Sequence, residues 1–375
     1  MFVHMTQFGS VVIIAAAAIT ALVVAYIFSR LAANQEYLPD HPNDRSSHHE
    51  VTPRSGGLAI IGGWWLAMII VASFVGAAQA ASDILTISAL GGLALAIGYA
   101  DDRYSMTSLF KFAGQIAVAA IFVWFLGDLQ TAPVPFGGHT ALGISGIILT
   151  LVWIVGFMNV FNFMDGSNGL AAIAAMIVLC VLAIACAAFG APLVAFASLA
   201  LAFAIAGFSR VNFPSGRIFM GDNGSQSVSF LIAALAVMAA NRTDGAISFL
   251  FVPTAMMPFI FDVGFTLAHR IARRKNIVTA HREHLYQLLM RHGASHIRVA
   301  GIYFVLIAFS TTAAVLMLRL PSGLQWIAPV FLSAVFLVPA LKLYWNSMRA
   351  GFFGAVSDAD RLGDLGSIDS SALEN

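Results

Sequence analysis

Four aspartates stand where apolar stretches of the chain end: Asp101 and Asp102 in Gly-Tyr-Ala-Asp-Asp-Arg, Asp165 in an Asn- and Gly-rich run, and Asp222 in Met-Gly-Asp-Asn-Gly. Carboxylates at the edge of a bilayer are costly and tend to be functional. Four of them, from three separate loops, offer the oxygen chemistry of a hard divalent cation. Asp101 and Asp102 are adjacent and so point about 100° apart on a helix. They cannot readily grip one ion together, which leaves one for the metal and the other as a base or hydrogen-bond partner. A helix cap or a solvated loop explains any single Asp, but accounts poorly for the joint placement.

Around these acids lie residues suited to phosphate. Asn159 and Asn162 sit in the last turns of an apolar segment that Gly166 and Gly169 then break. A capped hairpin explains Asp165, yet hardly two further amides in a membrane helix. In the run from Asn212 to Ser225, a helix starting near Gly224 presents free N–H groups to phosphate oxygens. Asp222 would ligate a metal beside them, and Phe219 would stack on a base or serve as an apolar loop anchor. A basic loop, 270–298, carries His281, Arg282 and His284, two imidazoles and a guanidinium within one turn, suited to clasping a diphosphate. Zinc is the competing use, but no Cys stands nearby; lipid-headgroup binding is the bland one. Asp44, Arg45, His48 and Arg54, in the loop before Gly56-Gly57, are further substrate-binding candidates.

The elements that position these residues are membrane helices. The chain has 375 residues, 59% hydrophobic and only 10% charged, too apolar for a soluble domain of that length. Apolar runs long enough to cross a bilayer fall at 10–31, 57–78, 84–99, 110–126, 143–161, 169–189, 191–211, 224–240, 246–268, 299–318 and 324–344. This predicts an all-α polytopic protein of about eleven spans. All of the 19 Lys and Arg except Arg242 and Arg319 then lie in loops on one side. The positive-inside rule makes that side cytoplasmic, with the N-terminus outside and the C-terminus inside. The first run is too long for a signal-peptide core and is expected to be retained. Cys180 and Cys186 share one span, too far apart along it for a disulfide. Residues 1–353 read as one membrane domain, 354–375 as a disordered acidic tail, and the loop 127–142 as a short ordered turn region. A net charge of +1, with the cations at the membrane edge, indicates no nucleic-acid partner.

Taken together, the segments from His41 to Gln287 resemble the polyprenyl-phosphate N-acetylhexosamine-1-phosphate transferases, which include O-antigen-initiating enzymes and phospho-N-acetylmuramoyl-pentapeptide transferase. The resemblance implies a magnesium-dependent (or manganese-dependent) reaction at the inner face of a bacterial inner membrane, in lipopolysaccharide or cell-wall biogenesis. A UDP-N-acetyl sugar and undecaprenyl phosphate would give undecaprenyl-diphospho-sugar and UMP, with membrane lipids around the enzyme and a homodimer compatible with it. Carried over by position, Asp101 and Asp102 match the family's paired catalytic aspartates, with Asp102 also a metal candidate. Lys111 matches the Lys of Lys-Phe-x-x-Gln. Asn159, Asn162 and Asp165 match the Asn-rich loop, Asn212 and Phe219 look like nucleotide contacts, and Asp222 looks like the metal ligand. His281 and His284 fall on the His-rich signature. Two departures stand out. The familiar Asp-Gly-x-Asp-Gly reads Asp165-Gly-Ser-Asn168-Gly, and the His cluster reads His-Arg-Glu-His.

Two rivals come from other classes. A transporter would place its acids near the bilayer midplane, where Asp262 alone lies well inside a predicted span. An aspartyl protease leaves the Asn-rich loop and the His–Arg segment without a task. Assay of UMP release from UDP-sugars discriminates all three.

Overall fold

The computed structural model describes residues 7–35, 37–40, 51–74, 77–276 and 282–353. It consists of α1 (Gln7–Ala32), α2 (Gly56–Ala72), α3 (Ala78–Tyr104), α4 (Ser108–Leu126), α5 (Ile144–Met164), α6 (Leu170–Ala188), α7 (Pro192–Asn212), α8 (Gly221–Arg242), α9 (Phe251–Ala255), α10 (Met257–Ala272), α11 (Leu285–Arg291), α12 (His296–Met317) and α13 (Ile327–Arg349). Two short antiparallel pairs complete it: β1 (Pro39–Asp40) with β2 (Thr52–Pro53), and β3 (Thr131–Pro133) with β4 (His139–Ala141). The second pair lies in the 127–142 loop. The proposed tail, 354–375, lies outside the described residues.

Among the described residues, nine helices are long and apolar enough to cross a membrane, two fewer than the runs of the sequence. The difference lies at two places. The second run forms only the shorter α2. The ninth is divided at Met256 into α9 and α10, with Pro258 in the first turn of α10. Proline has no N–H to give to the preceding turn, so a continuous helix through this point loses a hydrogen bond and meets a ring clash.

The centre of the bundle is α8, packed against α3, α5 and α2, whereas α1 packs on α7 and α2, and α6 on α7. Residues 223–240 of α8 are buried on every side. It is also the least apolar of the nine. A helix that meets other helices rather than lipid needs small, close-packing residues more than greasy ones. Its serines are satisfied within the helix, as where Ser227 Oγ donates to the Asn223 carbonyl at 2.7 Å. Close approach recurs between α1 and α7, where any Cβ at Gly207 would collide with the Leu22 carbonyl.

Candidate functional site

One end of the bundle gathers the C-terminal ends of α3, α5 and α7 and the N-terminal ends of α2, α4 and α8. There α3 and α8 touch backbone to backbone, because Gly98 leaves room for the Asp222 carbonyl that any side chain would strike. Asp222 is thereby held beside the end of α3.

The charged centre is a bridge. The Lys111 ammonium, in the first turn of α4, donates to Asp101 Oδ2 at 2.7 Å and to Asp222 Oδ1 at 2.8 Å. Asn162 Nδ2, in the last turn of α5, donates to the same Asp222 oxygen and to Ser225 Oγ at 2.7 Å. Side chains of four helices, α3, α4, α5 and α8, thus converge on one charged centre. Asp165 caps the end of α5, half-buried. Burial, and after it the negative charges of Asp222 and Asp102, hold its carboxyl well above the usual carboxylate range. Positive charge from a ligand would relieve that repulsion. Among the described residues no three His, Cys, Asp or Glu side chains form a ready-made metal cage. The hard oxygen donors nearest to one are Asp222 and Asp101, fitting an ion that takes one or two carboxylates and completes its shell with water and phosphate.

Asp102, expected as base or metal ligand, meets the start of α8. Its Oδ1 accepts from the Asp222 N–H at 3.1 Å, and its Oδ2 from the Asn223 N–H at 2.8 Å and Asn223 Nδ2 at 2.6 Å. The first N–H groups of α8 have no partner inside the helix, and Asp102 supplies one from α3. Asn223 in turn accepts from the Leu58 N–H at 3.1 Å and donates to the Arg54 carbonyl at 2.5 Å. Asp102→Ala should therefore destabilise the fold by roughly 0.5–2 kcal/mol, the cost of a lost N-cap, read as a lower melting temperature of the detergent-purified protein.

Other expected residues are placed as follows. The Arg54 guanidinium pairs with Asp40. Asn159 lies one turn deeper than Asn162 and donates to Gln115 Oε1 at 2.8 Å, while Gln115 donates to Gln226 Oε1 at 2.8 Å. It serves a buried amide ladder rather than the charged centre. Gln115 and Gln226 stand four residues after Lys111 and Asp222, a spacing that puts them on the same helix faces, and that spacing was the available signal. Asn212, expected at the nucleotide, is 5% exposed; it accepts from the Gly169 N–H at 2.9 Å and donates to the Ile218 carbonyl at 2.8 Å. It braces the 213–218 loop. The Phe219 backbone pairs with that of Pro53 and Gly56, and its ring is half-buried.

The His–Arg segment is only partly as expected. His284 is 2% exposed, its ring near-parallel to those of Phe163 and Tyr286 and its Nδ1 3.3 Å from Asp262. The loop folds it under rather than out, so that it meets Asp262 and the two rings. Glu283 ion-pairs with Lys275 at 2.7 Å and Arg270 at 3.2 Å, and Arg282 is half-buried. Asp44, Arg45, His48 and His281 lie outside the described residues.

Carboxylates, an ammonium and amides converging at the helix ends of a membrane bundle are the equipment of a membrane enzyme acting on phosphate. Residues 84–240 match the glycosyl transferase family 4. The chain is 30% identical to a Bacillus subtilis protein named "Probable undecaprenyl-phosphate N-acetylglucosaminyl 1-phosphate transferase", over 80% of this chain and 82% of that one. It is 28% identical to the decaprenyl-phosphate N-acetylglucosaminephosphotransferase of Mycolicibacterium smegmatis, over 79% and 81%. It is also 29% identical to the phospho-N-acetylmuramoyl-pentapeptide-transferase of Staphylococcus saprophyticus, over 58% and 71%. The chain belongs to glycosyl transferase family 4, the polyprenyl-phosphate N-acetylhexosamine-1-phosphate transferases. It is a glycosyl-phosphate transferase for a polyprenyl phosphate.

Proposed function

We propose that this chain moves an N-acetylhexosamine-1-phosphate from a UDP-sugar to undecaprenyl phosphate and releases UMP, as the first membrane step of O-antigen or exopolysaccharide synthesis. A bond forms between an acceptor phosphate oxygen and the sugar-bearing phosphorus, and the bond to the UMP phosphate breaks. The observation that carries this reading is the Lys111 bridge between Asp101 and Asp222 at the start of α8. Both substrates are anionic where they react, so the site must offset their repulsion.

Lys111 supplies a fixed positive charge, and Asn162 holds Asp222 in its orientation. Asp101 is the remaining carboxylate placed to manage a proton. Asp222 is the residue that would hold magnesium or manganese, with water and phosphate completing the shell; the ion would supply positive charge to the reacting phosphates. The half-buried Phe219 is offered to the base. The reaction lies on the cytoplasmic face, a reading supported by the partition of Lys and Arg. Arg242 is consistent with it, ion-paired to the buried Asp83 at the opposite end of α8.

Purified protein incubated with undecaprenyl phosphate, magnesium and a panel of UDP-N-acetyl sugars should release UMP with at least one donor and only when the acceptor is present. UMP release independent of acceptor, or with no donor at all, overturns the reading.

A further inference from the structure

Asp262 lies in α10, fully buried, and belongs to none of the groups around Lys111. A buried carboxylate persists only where donors surround it, and here they come from three helices. Its Oδ1 accepts from the Leu285 N–H at 2.8 Å and stands 3.3 Å from both Thr266 Oγ1 and His284 Nδ1. Its Oδ2 accepts from the Tyr286 N–H at 3.2 Å and the Tyr303 hydroxyl at 2.5 Å. The start of α11 is thus tied to α10 and α12 through one side chain.

The tie continues towards the charged centre. The Tyr286 hydroxyl, in α11, donates to the Phe163 carbonyl at 3.2 Å and packs against Gly166, on either side of Asp165. Gln287 Nε2 donates to that hydroxyl at 3.1 Å, and the His284 ring lies against Phe163. The segment carrying Arg282 and the end of α5 carrying Asn162 and Asp165 are therefore held in one register, and Asp262 is the anchor they share.

We propose that Asp262 is a positioning residue for the transfer: it touches no substrate, but sets the segment 282–291, and through Tyr286 the end of α5, where they meet the donor diphosphate. This rests on the transferase reading above. A shift of the order of 1 Å in such a support costs up to about 10²-fold in rate.

The test compares Asp262→Asn with the milder Tyr303→Phe, which removes one donor and keeps the packed ring. Transfer kinetics are measured for each substrate separately, and amide exchange is followed along the chain. Asp262→Asn should lower kcat/KM for the UDP-sugar by about 10- to 10²-fold while the KM for undecaprenyl phosphate stays unchanged. Exchange should rise in 282–291 and at the end of α5, but not in α8. Tyr303→Phe should change the same quantities by less. Adding Arg282→Ala to Asp262→Asn should cost no more than Asp262→Asn alone, since the anchor acts through that segment. The proposal fails if both substrates lose efficiency alike, if the two substitutions multiply, or if exchange in 282–291 is unmoved. Wild-type protein in the same assay separates this from the broader reading, because absence of UMP there counts against the transferase donor and not against the anchor, which exchange reads independently.

Discussion

Asp222→Asn should slow transfer by about 10²-fold or more, equivalent to roughly 3 kcal/mol of transition-state stabilisation. Asparagine keeps the size of the side chain but removes the charge that Lys111 and Asn162 both address. A hard-cation site that draws so few carboxylates from the protein has none to spare. Part of the loss should return at high magnesium or with manganese, which accepts similar oxygen ligands. Asp101→Asn should respond to neither ion, because Asp101 handles a proton rather than the metal. UMP release titrated against each ion checks this. Near-normal turnover of Asp222→Asn at low magnesium would place the metal elsewhere.

Lys111→Met is the second large effect. It removes the cation between Asp101 and Asp222 and leaves the two carboxylates facing each other, so turnover should fall by about 10²-fold or more. High magnesium should not repair it, because the lost charge is fixed to α4 rather than drawn from solution. Lys111→Arg should recover little, since a larger guanidinium with its donors in a rigid planar fork does not take the place of a compact ammonium between the two oxygens. Combined with Asp222→Asn, the loss should be much less than the product of the two, as expected for partners in one contact. Independent, multiplying effects in that cycle would mean that the Lys111–Asp222 contact plays no part in the reaction.

Asp102 shows why adjacent residues of one motif separate in their tasks. Asp101 meets Lys111, and Asp102, turned around the helix, meets the open N–H groups of α8. That the pair would divide its labour was legible from the angle between neighbours on a helix. Which of the two would face which partner was not, since it depends on the rotation of α3 against α8, set by the contact at Gly98.

From the sequence alone came the membrane class, the apolar segments, and the residue types gathered where those segments end. Bilayer thickness and the cost of a charge in lipid act on local composition, so local composition reports them. The same local signal is blind to two features of the fold. Hydropathy runs straight through Met256, where the helix is divided ahead of Pro258, a residue without an N–H; and it marks α8 as one span among equals, although α8 is the buried axis of the bundle. Only the tertiary structure brought Lys111 to an aspartate 111 residues away, drew Asn159 and Asn212 into bracing, and folded His284 onto Asp262. Whether a polar side chain meets a ligand or another part of the chain depends on which helix face packs where, and that is decided by contacts between residues distant in sequence.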